Sequence, residues 1–98
     1  MTQTDQAASA AEYLSMRIVD FFSFERLRAQ SESNHLASRA SNIIFGEYHR
    51  HSEDQNKMED FLIYETRRSL ARIPNSGEKT ADLIVRTVQA AGLTIRDC

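Results

Sequence analysis

Residues 13–27, YLSMRIVDFFSFERL, are the most apolar stretch of the chain and contain three of its five phenylalanines. An α-helix turns about 100° per residue, and on that wheel the apolar side chains of this region share one broad face. The side chains on that face are Ala7, Ala11, Leu14, Ile18, Phe21 and Phe22. The pattern predicts an amphipathic helix that packs on a core, with Phe24 pointing to one side.

The three phenylalanine rings span more surface than one neighbouring helix covers. Because a buried aromatic ring removes about 150–250 Å² from water, the pattern predicts cover from two sides, by the chain's own helices or by a partner. The apolar phase slips after Phe24, since Glu25 and Arg28 fall on the buried face. We therefore expect the helix to bend, end or leave the core between residues 23 and 30. Phe24 and Leu27 would then form an apolar surface that a second molecule covers.

The periodicity predicts an all-α bundle of about four helices, with a long N-terminal helix at its centre. Their approximate bounds are 6–30, 34–48, 53–72 and 77–91. Polar or turn-forming residues separate them, and the expected capping residues are Ser31, Ser33 or Asn34, the pair Ser52 and Gln55, Ser76, and Gly92. Pro74 disfavours helix at the residue before it.

Each of the last three helices also has an apolar stripe. The second has Leu36, Ala37, Ala40, Ile43, Ile44 and Tyr48; the third has Met58, Phe61, Leu62, Ser69 and Ile73, flanked by Ile63 and Leu70; the fourth has Ala81, Ile84, Val88 and Ala91. The fourth stripe is the most regular. Stripes of this kind predict helices that share one core.

The composition fits one small helical domain. The 98 residues are 41% hydrophobic and 27% charged, and only three glycines and one proline leave few places for tight turns. No β-branched run alternates with polar residues over the length of a strand. We expect a single domain over residues 1–98, frayed at 1–5 and 96–98.

Charge and cysteine content bear on partners and location. The net charge of −2 disfavours binding to nucleic acid or a membrane through overall charge. The single cysteine, Cys98, excludes an intrachain disulfide, which is typical of a reducing compartment. No signal peptide or spanning run is evident, so we expect a cytoplasmic protein.

The sequence offers little for catalysis or metal binding. His49-Arg50-His51 is the only histidine cluster, and His49 and Glu53 have i, i+4 spacing but straddle a predicted helix break. A solvated loop is the better interpretation. No nucleophilic triad or phosphate-binding glycine loop is present. We therefore expect a non-enzymatic protein without a metal or cofactor.

DNA binding is the runner-up hypothesis. A short turn between the last two predicted helices resembles a helix-turn-helix layout only loosely. The contacts would come from Arg67, Arg68, Arg72, Lys79 and Arg86. The same outer face carries Glu78, Asp82 and Gln89, and basic residues that end a helix also complement its dipole. Nucleic acid is therefore the less favoured partner.

Protein–protein interaction is the leading hypothesis. The predicted interface is Phe21, Phe22, Phe24 and Leu27, with Tyr48 and Tyr64 as supporting anchors. Intrachain packing is the stronger interpretation for Phe21 and Phe22 individually. Small acidic helical proteins from bacteria or phages are often regulators, such as antiactivators that bind a transcription factor. By that association of size and class, we expect a regulatory homodimer that binds another protein.

Overall fold

The computed structural model describes residues 11–49 and 57–96, which contain helices joined by turns and no strand. The helices are α1 (11–15), α2 (Ile18–Phe21), α3 (Phe24–Ala29), α4 (Asn34–Tyr48), α5 (Met58–Tyr64), α6 (Arg67–Ala71) and α7 (Gly77–Ala90). The predicted all-α class is confirmed. The predicted number of about four helices is wrong, because two of the expected helices are divided.

The second and fourth predicted helices are confirmed as α4 and α7. The Ser33 hydroxyl accepts the Leu36 N–H at 3.2 Å and so caps α4. At the end of α7, Gly92 has φ +82°, and the following Leu93 N–H donates to the Val88 carbonyl at 3.2 Å. This left-handed glycine cap was predicted. Ser76 precedes α7 as expected, but its side chain makes no capping hydrogen bond.

The predicted N-terminal helix is divided into α1, α2 and α3, which corrects the single helix expected over 6–30. Its residues 6–10 lie outside the described part of the chain. Ser23 is extended, with ψ 158°, and its hydroxyl caps α3 by accepting the Arg26 N–H at 3.2 Å. This break rotates α3 relative to α2 and turns Leu27 into the core. The phase slip in the sequence therefore marks a break, and Leu14, expected in the core, is partly exposed.

The predicted third helix is divided into α5 and α6, which corrects the helix expected over 53–72. Glu65 is extended, and Thr66 starts α6 with a capping box in which its hydroxyl accepts the Ser69 N–H at 3.1 Å. The break rotates α6 so that Leu70, expected on a flank, is fully buried. The predicted capping pair Ser52 and Gln55 lies outside the described residues.

The helix α7 contributes more buried residues to the core than any other described element. Among the described elements, α7 packs against α3, α4 and α6. Both flanks of its stripe are covered, and its buried residues are Thr80, Ala81, Leu83, Ile84, Val85, Thr87 and Val88. On α4, Ala37 and Ala40 are fully buried, as expected for a thin helix face against which neighbours pack closely.

Two backbone contacts join segments that are distant in sequence. The Met58 N–H donates to the Met16 carbonyl at 2.9 Å and links the start of α5 to the end of α1. After α7, Leu93 and Ile95 are buried, and the Arg96 side chain donates to the Ile63 carbonyl at 2.5 Å. The Arg96 side chain therefore contacts the end of α5.

Two buried threonines on α7 differ in hydrogen bonding and give a matched test. The Thr87 hydroxyl donates to the Leu83 carbonyl at 2.8 Å, whereas the Thr80 hydroxyl has no hydrogen-bond partner within residues 11–49 and 57–96. An unpaired buried hydroxyl costs about 1–3 kcal/mol, so Thr80→Val should raise the free energy of unfolding by about 1 kcal/mol. Thr87→Val should not raise it. Urea denaturation of both variants measures the difference, and equal gains would contradict the hydrogen-bond argument.

Candidate protein-interaction surface

A buried tyrosine joins the end of α4 to the break between α5 and α6. The Tyr48 ring packs on Phe61 with ring centroids 5.6 Å apart, and its hydroxyl donates to Glu65 Oε2 at 2.8 Å. The Ser69 hydroxyl donates to the other carboxylate oxygen, Oε1, at 2.6 Å. Both Glu65 oxygens therefore accept a hydrogen bond, and the carboxylate fixes α4, α5 and α6 relative to one another.

Burial raises the pKa of the Tyr48 phenol well above its usual value, and the negative charge of Glu65 raises this pKa further. Both effects penalise the phenolate, because an anion loses hydration in the core and is repelled by the carboxylate. The phenol consequently remains a hydrogen-bond donor at every ordinary pH. Its contact with Glu65 is a permanent structural link.

Large apolar side chains are exposed on both sides of this link. Phe45 lies one turn before Tyr48 on α4, and Ile63 and Tyr64 end α5 immediately before Glu65. Phe45 and Ile63 are each 58% exposed, and Tyr64 is 76% exposed. We call these three residues the Phe45–Tyr64 surface. The Phe45 ring also stacks on the His49 imidazole, with centroids 4.6 Å apart and planes within 8° of parallel.

The local sequence explains why these side chains face outward. On α4, Ile44 and Tyr48 face the core, and Phe45 follows Ile44 by one residue, about 100° around the helix. On α5, Phe61 faces the core, whereas Ile63 and Tyr64 lie in the last turn and are exposed. The extended Glu65 ends the helix directly after them. The exposure of Ile63 and Tyr64 therefore occurs at the same break that buries Leu70.

Most of the interface residues expected from the sequence are buried within the chain. Phe21, Phe22, Leu27 and Tyr48 are all buried; Leu27 was expected at the surface, and Tyr48 was assigned both to the apolar stripe of its helix and to the interface. For Leu27 the reason is the break before α3, and for Tyr48 it is the contact with Phe61. Phe24, at 39% exposed, and Tyr64 are the only two of the six predicted residues that remain accessible.

Sequence reasoning missed Phe45 and Ile63 as surface residues. Phe45 carried a usable signal, because it is a large aromatic residue that falls outside the Ala37–Tyr48 stripe. Ile63 carried no such signal, because the single helix predicted over 53–72 has Ile63 on the flank of its core face. Its exposure follows from the break at Glu65, which the periodicity did not reveal.

The residues proposed for DNA binding are exposed, but two of them are already paired. Asp82 accepts a salt bridge from Arg67 at 2.8 Å and one from Arg86 at 3.0 Å, and Arg86 also donates to the Gln30 carbonyl. They line a groove of about 640 Å³ together with Lys79. Three acidic residues, Glu32, Glu78 and Asp82, balance its three cations. Arg68 and Arg72 are exposed on α6 and its C-cap.

The histidines do not assemble a metal site in the described part of the chain, where no group of three or more potential ligands comes together. His49 Nδ1 lies 2.6 Å from the Phe45 carbonyl oxygen. His35 lines a second open groove of about 650 Å³ beside the turn before α7. Arg50, His51 and Glu53, which completed the histidine cluster in the sequence, lie outside the described residues.

No helix in residues 11–49 and 57–96 has both the length and the apolar character needed to span a bilayer. The chain matches no known family model, and no similar protein was found among curated proteins or solved structures.

Proposed function

We propose that the chain is a small non-enzymatic regulatory protein that acts by binding another protein through the Phe45–Tyr64 surface. The observation that carries the proposal is the exposure of three large apolar side chains around the Tyr48–Glu65 link. Large apolar side chains exposed at the surface are candidates for interaction sites, and aromatic residues are enriched in protein interfaces. Tyr64, the most exposed of the three, is the central anchor.

The rigidity of the scaffold supports this role. The Tyr48 hydroxyl, the Glu65 carboxylate and the Ser69 hydroxyl form a connected hydrogen-bond network beneath the surface. Anchor residues held in place before binding lose less conformational entropy when the complex forms. A partner therefore meets apolar groups whose backbone positions are already fixed.

The partner class remains the one expected from the sequence. In the proposal, the chain binds a bacterial or phage-encountered protein such as a transcription factor, as an antiactivator or inhibitor does, and associates with itself as a homodimer in the cytoplasm. Phe24 is a further contact, since its ring is partly exposed on α3. Partner binding and self-association would each remove apolar surface from water, which stabilises a complex by about 25 cal/mol per Å² of buried apolar area.

Charge favours a protein partner over nucleic acid. The groove lined by Arg67, Lys79 and Arg86 carries as many carboxylates as cations, and Asp82 already neutralises two arginines. Phosphate binding would have to compete with these ion pairs and would gain no net attraction from the groove. The DNA-binding hypothesis therefore lacks a supporting observation.

The test is a variant that makes the surface polar while leaving the core intact. Ile63→Asp/Tyr64→Asp adds two charges at exposed positions, so the fold should persist while a partner would have to bury those charges. We expect cross-linking capture from the native host to lose at least 90% of the specific partner recovered with wild type. Light scattering tests the homodimer separately and should show a dimer mass for wild type.

A matched control adds the same two charges elsewhere. Gln89→Asp/Ala90→Asp alters two adjacent exposed residues at the end of α7, outside the Phe45–Tyr64 surface. This control should capture the same partner as wild type and retain the dimer mass. Equal capture by both double variants would exclude the surface as the binding site, and a monomeric wild type at tens of micromolar would exclude the homodimer.

A further inference from the structure

Tyr13 of α1 covers an aromatic and a cationic side chain. Its ring meets the Phe21 ring edge to face, with centroids 5.3 Å apart and an interplanar angle of 78°. The Arg26 guanidinium carbon lies 4.7 Å from the centroid of each of these rings. Edge-to-face packing and cation–π contact are the interactions by which proteins recognise an aromatic group.

The covering segment is thinly attached to the rest of the chain. In α1, Ala11, Glu12, Leu14 and Ser15 are all exposed, and only Tyr13 turns inward. Beyond it, Met16 is partly buried and its carbonyl accepts the Met58 N–H at 2.9 Å. Among the residues that the structure describes, the attachment therefore consists mainly of one ring, one thioether side chain and one backbone hydrogen bond. Segments with so few buried contacts open more readily than the core.

The closed arrangement also leaves a polar group unsatisfied. Arg26 Nε is buried and has no hydrogen-bond partner among the described residues, although a guanidinium hydrogen bonds strongly with water when it is exposed. Opening of residues 11–16 would return this N–H to water, so the opening is less unfavourable than the lost apolar contacts alone imply. The rings of Phe21 and Phe22 below are packed edge to face at 4.9 Å and hold the floor of the site.

We propose that Phe21 and Arg26 form an aromatic-binding site that residues 11–16 cover, and that its ligand is a tyrosine or phenylalanine side chain of a partner protein. Tyr13 is the intramolecular occupant of this site. When the cover opens, a partner's ring takes the place of Tyr13 against Phe21 and beneath the Arg26 guanidinium. Aromatic residues and arginine are the commonest strong contributors to protein interfaces, which fits this pair.

The inference does not depend on the Phe45–Tyr64 surface. It concerns a different face, formed by α1, α2 and α3, and its test needs only the purified chain. A failed result would leave the proposed function untouched, and loss of partner capture by Ile63→Asp/Tyr64→Asp would not bear on the aromatic site.

The first measurement is amide hydrogen exchange in the wild-type protein by NMR. If residues 11–16 open as a unit, the Met58 amide should exchange at least 100-fold faster than the Val88 amide in the core of α7. The Phe61 amide, which donates to Lys57 within the same helix, is the internal control for fraying of α5. Exchange of Met58 and Phe61 at the same rate would overturn the opening.

The second measurement tests the ligand class with p-cresol, which has the structure of a free tyrosine side chain. Tyr13→Ala vacates the site, so p-cresol should cause saturable chemical-shift changes at Phe21 and Arg26 with millimolar affinity. Wild type should bind at least tenfold more weakly, because its site is available only while the cover is open. Equal binding by the two proteins, or no saturable binding by the variant, would overturn the aromatic site.

Tyr64→Ala is the matched control, since it removes a tyrosine ring from a different face of the molecule. This variant should bind p-cresol as weakly as wild type does, and its Met58 amide should exchange at the wild-type rate. If Tyr64→Ala matched Tyr13→Ala in either measurement, the effect would not be specific to the cover and the proposal would fail.

Discussion

Replacement of Phe61 by alanine should lower the free energy of unfolding by about 3–5 kcal/mol, the range measured for large-to-small changes of a buried phenylalanine. Phe61 is buried between Phe22, at 5.2 Å between ring centroids, and Tyr48, at 5.6 Å. It therefore connects the N-terminal helices to α4 through two aromatic contacts. Removal of the ring leaves a cavity that neither neighbour can fill without changing its own packing.

Chemical denaturation with guanidinium chloride measures this loss. A domain of this size has a total stability of about 5–15 kcal/mol, so the Phe61→Ala variant should be close to unfolding at 37 °C. Ile63→Ala is the control, because Ile63 lies two residues away on the same helix and is exposed. Its cost should stay within about 0.5 kcal/mol. Similar costs for the two variants would refute the orientation of α5.

The sequence was sufficient to predict the elements whose periodicity is uninterrupted. For α4, the predicted bounds 34–48 equal the observed ones, because Ser33 supplies a cap and one apolar stripe runs to Tyr48. For α7, Gly92 and the stripe from Ala81 to Val88 predicted the helix to within one residue. In both cases a local signal and the burial pattern agree.

The break at Ser23 lies at the start of the 23–30 interval in which the phase slip predicted a bend or an end, whereas the break at Glu65 could not be predicted because it depends on tertiary packing. A helical wheel assumes one straight helix axis. At Ser23 and Glu65 the backbone is extended, so a new helix begins in another direction and the apolar pattern must be counted afresh from its first residue. The capping hydroxyl of Ser23 was visible in the sequence, but a serine inside a helix is common. The burial of Leu27 requires a break at Ser23, and the burial of Leu70 requires one at Glu65. Neither burial can be read from the linear sequence.

The candidate surface was predictable only in part. Phe24 was proposed as a contact because it lies outside the expected stripe, and Tyr64 because tyrosine is enriched in interfaces; both are exposed. Phe45 was overlooked although it too lies outside its stripe, and Ile63 depends on the break at Glu65. The pairing of Arg67 and Arg86 with Asp82 joins α6 to α7 and had no signature in the linear sequence.

The stability of the protein should fall steeply above pH 10 because of Tyr48. Burial and then the charge of Glu65 raise the pKa of this phenol in the folded state above its value of about 10 in the unfolded chain. Below pH 10 both states hold the proton, and the contribution of the phenol to stability is fully present. Above pH 10 the unfolded state releases the proton while the folded state retains it. Stability should therefore fall by about 1.4 kcal/mol per pH unit from this group.

Tyr48→Phe isolates this contribution from other groups that titrate at high pH. At pH 7 the variant should be about 1–3 kcal/mol less stable than wild type, because the hydrogen bond to the Glu65 carboxylate is lost. Above pH 10 the difference should shrink and close by about pH 12, since only wild type must keep a buried phenol protonated. Urea denaturation at pH 7, 10, 11 and 12 measures it, with exposed Tyr64→Phe as the control whose difference from wild type should stay constant. A constant difference for Tyr48→Phe as well would mean that the phenol ionises in the folded protein as readily as in water, and the Tyr48–Glu65 link would then not be the buried anchor on which the Phe45–Tyr64 surface depends.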